Sequence, residues 1–120
     1  ETEVVSSVLA GLSGPKRLIE EPEEFTRELF LGYLSQDRLI QTLFSGNQSG
    51  RLAGKIEAMI KEMLFEACPQ YRDDPEANVR ITCCVYGGYH AFFENRKYGE
   101  EAVIRTLGRI AAETVRLKEI

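Results

Sequence analysis

Few side chains in this 120-residue chain are able to do chemistry, and they are scattered. Cys83 and Cys84 are adjacent, and Cys68 stands apart. A thiol that senses oxidants or electrophiles must be exposed and have a lowered pKa. Arg80, three and four positions earlier, is the close cation on that stretch. Neighbouring cysteines on a helix point in different directions and do not readily join. With no CxxC pair and no Cys/His zinc spacing, the thiols read as reduced cysteines. The single histidine, His90, lies in an apolar run with Glu94 four residues on, which puts two potential metal ligands on one helix face. A satisfied or interface histidine is the plainer reading. Ser6-Ser7 has no base partner visible in the sequence, and HExxH, paired ExxH, GxSxG and phosphate-loop motifs do not occur. The acidic group Glu20, Glu21, Glu23 and Glu24 reads as a solvated helix start. The expectation is a protein that is not an enzyme and holds neither metal nor cofactor.

The elements that would position these residues are helices. Strand-type alternation and Asn-Gly or Asp-Gly hairpins are missing, whereas helical spacing recurs throughout, so the chain reads as all-α, a bundle of about six helices. Residues 3–12 form a short helix with Val4, Val5, Val8, Leu9 and Leu12 inward, stopped by Ser13-Gly14-Pro15. Residues 16–21 are a linker or a short helical piece. Pro22-Glu23-Glu24 opens a second helix, proline and acidic groups both suiting a first turn. Its apolar face is Phe25, Leu29, Phe30, Tyr33 and Leu34. Ser35 is placed to cap a third helix, Gln36 to Phe44, and residues 45–50 make a loop.

A fourth helix, about 51–67, puts Leu52, Ile56, Met59, Ile60, Met63 and Leu64 on one stripe, with Glu57 before Lys61 at a supportive spacing. Pro69 ends it. Asp74 caps a fifth helix, about 75–94, with Pro75 at its first position. That helix carries Val79, Cys83, Tyr86, His90 and Phe93 on one side and Val85, Tyr89 and Phe92 on another. At its centre is Gly87-Gly88, which costs helix stability and so suggests a close crossing or a local distortion. A sixth helix, about 98–118, has two apolar stripes: Val103, Leu107, Ile110, Thr114 and Leu117, and Ile104, Gly108, Ala111 and Val115. Two stripes exceed what one small core needs, so one of them is expected to meet a second copy of the chain.

Composition limits the function further. The length suits one domain, 1–120, able to bury roughly two-thirds of its unfolded surface. Hydrophobic residues make up 43% and charged residues 28%, ordinary for a soluble globular protein. A net charge of −4 gives no electrostatic footprint for nucleic acid. No apolar run approaches the ~20 residues of a membrane span, and the acidic start is unlike a signal peptide. The expected location is the cytoplasm. The first residue is not Met, which reads as a fragment or a processed product.

The run VYGGYHAFFEN, the helix EEAVIRTLGRIAAETVRL after it, and EPEEFTRELFLGYLSQDRLIQTLFSG followed by LAGKIEAMIKEML together resemble the C-terminal effector-binding domain of the TetR family of transcriptional regulators. The resemblance runs along nearly the whole chain with loose motifs. It departs in one large respect: nothing here matches the family's N-terminal helix-turn-helix, so DNA would be contacted only through a domain that this chain lacks. Residues 3–12 would correspond to the helix connecting to that head. The resemblance implies a homodimer in which the last two helices of each copy form an intermolecular four-helix bundle. Gly88, Ala91, Phe92, Ile104, Leu107, Ile110, Ala111 and Thr114 would be at the interface. It also implies a pocket for a small, largely apolar effector, with Phe30, Tyr33, Leu34, Phe44, Met59, Met63, Cys83 and Tyr86 as candidates and the two tyrosine hydroxyls to orient the ligand. Core packing is the plainer role for any one of these residues. A cysteine-based redox or electrophile sensor is the alternative, and a helical carrier or enzyme for apolar small molecules a third.

Overall fold

The computed structural model describes residues 2–43 and 49–114, and every regular element among them is helical. Helix α1, Thr2–Leu9, buries Val4, Val5 and Val8. It ends in a turn before Gly14, whose φ of +152° suits a glycine. Glu28 holds this turn: its carboxylate accepts hydrogen bonds from Ser13 N–H (3.0 Å) and Ser13 Oγ (2.6 Å), and from Arg17 Nη1 (2.9 Å). The segment after the turn is helical, α2, Arg17–Glu20, with Leu18 and Ile19 inward.

Helix α3, Pro22–Ser35, is the element around which the others pack. It begins with the expected proline in its first turn and buries Phe25, Thr26, Leu29, Phe30 and Tyr33. It packs most extensively against α8, Glu100–Thr114, and also meets α1 and α2. The crossing with α1 is so close that a Cβ at Gly32 would land on the Val8 carbonyl. Ser35 does not cap the next helix: it is the last residue of α3, and its hydroxyl donates back to the Gly32 carbonyl at 2.7 Å. Helix α4, Asp37–Leu43, is short and buries only Ile40 among its residues. Phe44 and most of the expected loop after it lie outside the described residues; Ser49 and Gly50 already belong to α5, Ser49–Ala67.

In α5, Leu52, Ile56, Ile60 and Leu64 are buried at the predicted spacing. Glu57 and Lys61 pair at 3.1 Å. Thr82 completes a bridge to the next helix, accepting from Lys61 Nζ and donating to Glu57 Oε2, each at 2.9 Å. A 3₁₀ turn, Pro69–Tyr71, follows. Asp74 then caps α6, Pro75–Thr82, as its spacing predicts, accepting from Glu76 N–H at 3.0 Å.

The predicted fifth helix is continuous from Pro75 to Asn95 but not uniform. Cys83–Gly87 forms a π-helical turn between α6 and α7, Gly88–Asn95. The glycine pair therefore marks both things its cost suggests. Gly87 lies within the distortion with open space around it, and Gly88 makes a close approach, where a Cβ would sit 3.3 Å from the Phe30 ring. A 3₁₀ turn, Arg96–Tyr98, and Gly99 at φ +102° lead into α8. No helix among the described residues is long and apolar enough to cross a membrane.

Candidate functional site

The hydrophobic stripe of α3 divides into two regions with different packing. Toward its C-terminal half, Phe30 and Tyr33 join Tyr89, Phe92 and Phe93 in a closed aromatic cluster, with ring centroids 4.8 to 6.0 Å apart. Arg96 lies over Phe92 and Phe93, 5.8 and 5.6 Å from their centroids, while its guanidinium donates to Asp37 at 2.9 and 3.2 Å. That hydrogen bond holds the Asp37 carboxyl below its ordinary pKa. The Tyr33 hydroxyl is fully buried here with no hydrogen-bond partner among the described residues, and burial pushes its pKa up.

Toward its N-terminal half, α3 faces a cavity of about 190 Å³. Leu18 of α2 and Phe25, Thr26, Leu29 and Phe30 of α3 form one wall. The π turn and α7 contribute Cys83, Cys84, Val85, Gly87, Gly88 and Ala91, and α8 contributes Leu107, Ile110 and Ala111. The lining is apolar apart from Thr26 and the two thiols. Cys83, Gly87 and Ile110 are exposed and mark the mouth. The π turn supplies part of this wall, and a turn of that kind carries one residue more than an α-helical turn. Two small residues follow: Ala91 keeps its part of the wall low, whereas Gly88 lets α7 come close to the Phe30 ring.

This geometry redistributes the expected pocket and interface residues. Of the effector candidates, Phe30 and Cys83 line the cavity. Tyr33 belongs to the aromatic cluster, and Leu34 and Met63 are half-buried elsewhere. Met59 and Tyr86, expected inward, are 44% and 41% exposed, and Phe44 lies outside the described residues. Of the interface candidates, Gly88, Phe92, Ile104, Leu107 and Ala111 are buried against their own chain. Ala91 and Thr114 are half-buried, and Ile110 is 53% exposed. Five of these eight residues, among them Gly88, Leu107 and Ala111, therefore line the cavity or its mouth.

The two sides of the predicted fifth helix are assigned by the same facts. Val85, Tyr89 and Phe92 face the core, while Val79, Cys83, Tyr86 and His90 face solvent, with Phe93 half-buried at the edge. His90 is thus not in an apolar setting, and no group of three or more His, Cys, Asp or Glu residues suited to a metal exists among the described residues. Two cavity residues escaped the sequence reading. Leu18 lay in a segment read as possible linker. Thr26 stands at i, i+3, i+4 and i+7 with Leu29, Phe30 and Tyr33, so a polar residue within the apolar stripe was the available signal.

The thiols differ from each other. Burial pushes the Cys84 thiol up to about 11, partly offset by a hydrogen bond with Thr114. Arg80, the cation expected to assist a thiolate, also offsets that rise through its charge, as the smallest of the contributions, while its guanidinium is bonded to other groups. It pairs with Glu76 at 2.9 Å and donates through Nη1 to the Thr114 carbonyl at 2.6 Å. Scans of the chain against protein-family models, curated proteins and solved structures find no match.

Proposed function

We propose that this chain is the effector-binding and dimerisation part of a TetR-like transcriptional regulator, a cytoplasmic repressor without enzymatic activity. The observation that carries the reading is the half-open apolar cavity between α3, the π turn and α8. It is a concave, mostly apolar site with few polar groups, built where three elements converge, as small-molecule sites commonly are. A route for the ligand's effect is also present. A molecule wedged against α3 biases that helix, and α3 touches the backbone of α1 at the Gly32–Val8 crossing. In this reading α1 leads to the DNA-binding head, and effector binding shifts the population toward a head spacing unsuited to successive major grooves. DNA is reached only through that head, and no membrane is involved.

The homodimer rests on the outward side of α6 and α8, where Val79 and Ile110 are 61% and 53% exposed. Ile110→Glu is expected to turn a dimer into a folded monomer in sedimentation velocity at tens of micromolar. A monomeric parent protein would sink the dimer. Leu107→Glu is the poorer probe, because Leu107 is buried within its own chain and a charge there would unfold it. Thermal-shift screening with apolar and aromatic compounds tests the pocket: responders are expected, and a uniform lack of response counts against effector binding.

A thiol sensor is the second reading, favoured by the exposure of Cys83 at the cavity mouth. The high pKa of Cys84 and the engagement of Arg80 weigh against it. Alkylation of the folded protein separates the two, since rapid modification of Cys83 at neutral pH would favour sensing.

A further inference from the structure

Building on the effector-binding reading, we infer that the cavity ligand is an uncharged molecule with an aromatic-ring-sized apolar body and one neutral hydrogen-bonding group that meets the Thr26 hydroxyl. Size is the first argument. A dry engineered cavity of about 150 Å³ accepts benzene, so about 190 Å³ accommodates a ring with a short arm.

Charge is the second. Among the described residues, no Asp, Glu, Lys, Arg or His lines the cavity. The nearest strong cation on α6, Arg80, is bound to Glu76 and the Thr114 carbonyl. The Cys84 thiol in the wall stays protonated at neutral pH. A carboxylate or ammonium group would therefore lose its hydration without gaining a counter-charge.

Thr26 is the third. It is the one buried polar residue among those described, at 6% exposure, and it lines the cavity. The hydroxyls of Ser35, Thr42 and Thr106 each donate to a helix carbonyl three or four residues back. The Thr26 hydroxyl has no such bond and no partner among the described residues. Tyr33 Oη, not Thr26 Oγ1, is the fully enclosed unpartnered oxygen among the described residues, so the Thr26 hydroxyl is reachable from the cavity it lines, where a ligand hydroxyl, carbonyl or amide would pair with it.

The test is isothermal titration of the whole chain with four matched probes: 2-phenylethanol, propylbenzene, phenylacetate and phenethylamine. The neutral alcohol should bind roughly 2- to 10-fold more tightly than propylbenzene, the range of one net hydrogen bond, and both charged probes should bind more weakly than either. Thr26→Val should abolish the preference for the alcohol while retaining propylbenzene binding, and Thr26→Ser should keep the preference. Equal or tighter binding of a charged probe overturns the inference and leaves effector binding standing. A preference for the alcohol that survives in Thr26→Val also overturns it. Failure of all four probes to bind the folded protein overturns the cavity reading beneath it.

Discussion

The two ends of α3 bury a similar kind of surface with opposite results. Around Phe30 and Tyr33, five aromatic rings close on one another, and Arg96 covers them from outside. Around Thr26, aliphatic and small residues meet the π turn and leave about 190 Å³ unfilled. Each end also holds a hydroxyl without a partner among the described residues, Tyr33's fully enclosed in the filled region and Thr26's reachable from the empty one. The first has no room for a ligand group, whereas the second has. A closed cluster supplies stability and an unfilled one leaves space of ligand size, and Phe30, which belongs to both, joins them.

Breaking the filled end should have the largest effect. Phe92 is fully buried, so Phe92→Ala is expected to cost about 3 to 5 kcal/mol in denaturant unfolding. Enlarging a residue at the open end should behave differently. Ala91→Met projects into the cavity, and a thioether adapts to irregular space. Stability should stay within about 1.5 kcal/mol of the parent, while binding of 2-phenylethanol is lost. A loss as large as that of Phe92→Ala would mean that the open end is packed after all.

Tyr33→Phe removes a buried hydroxyl that has no partner and should stabilise the fold by about 1 kcal/mol without changing ligand affinity. A destabilised Tyr33→Phe would show that the hydroxyl is satisfied in solution.

The smallest effect is on pH dependence. The hydrogen bonds from Ser13 and Arg17 lower the Glu28 pKa, and those from Arg96 lower that of Asp37. A lowered folded-state pKa means that the contribution is complete above the ordinary carboxylate range, near pH 4 to 5, and is lost as pH falls through the folded value. The melting temperature should therefore fall from about pH 5 toward pH 3. Asp37→Asn should shrink the part of that fall belonging to the aromatic end.

Much of the scaffold was legible because it depends on local chemistry. Asp74 with Pro75, Pro22 at the start of α3, and the Leu52, Ile56, Ile60 and Leu64 stripe each act within one or two turns of chain, whereas α1 ends at Leu9, before the expected stop at Ser13-Gly14-Pro15. What could not be read depends on contacts between elements. Ser35 has a good capping residue type, but its hydroxyl found the Gly32 carbonyl first. Helical spacing runs across Gly87-Gly88 without a visible fault, so the π turn at Cys83–Gly87 could not be read from it. Spacing also cannot say which stripe faces the core: Val79, Cys83, Tyr86 and His90 point outward together, and Gly88, Ala91 and Ala111, assigned to a partner by their small size, border a cavity in their own chain. Of the two stripes expected on the last helix, Val115 and Leu117 lie outside the described residues; in the rest, Ile104, Leu107, Gly108 and Ala111 are buried, α8 packs chiefly on α3, and Ile110 is left outside.

Amide NMR under xenon pressure tests the difference between the two ends most directly, since xenon enters dry apolar space and needs no knowledge of the natural ligand. Saturable shifts are predicted at Thr26, Gly88, Leu107 and Ala111, with little change at Tyr33 and Tyr89. Shifts centred on the aromatic cluster, or none at either end, would contradict an open binding cavity beside a closed core.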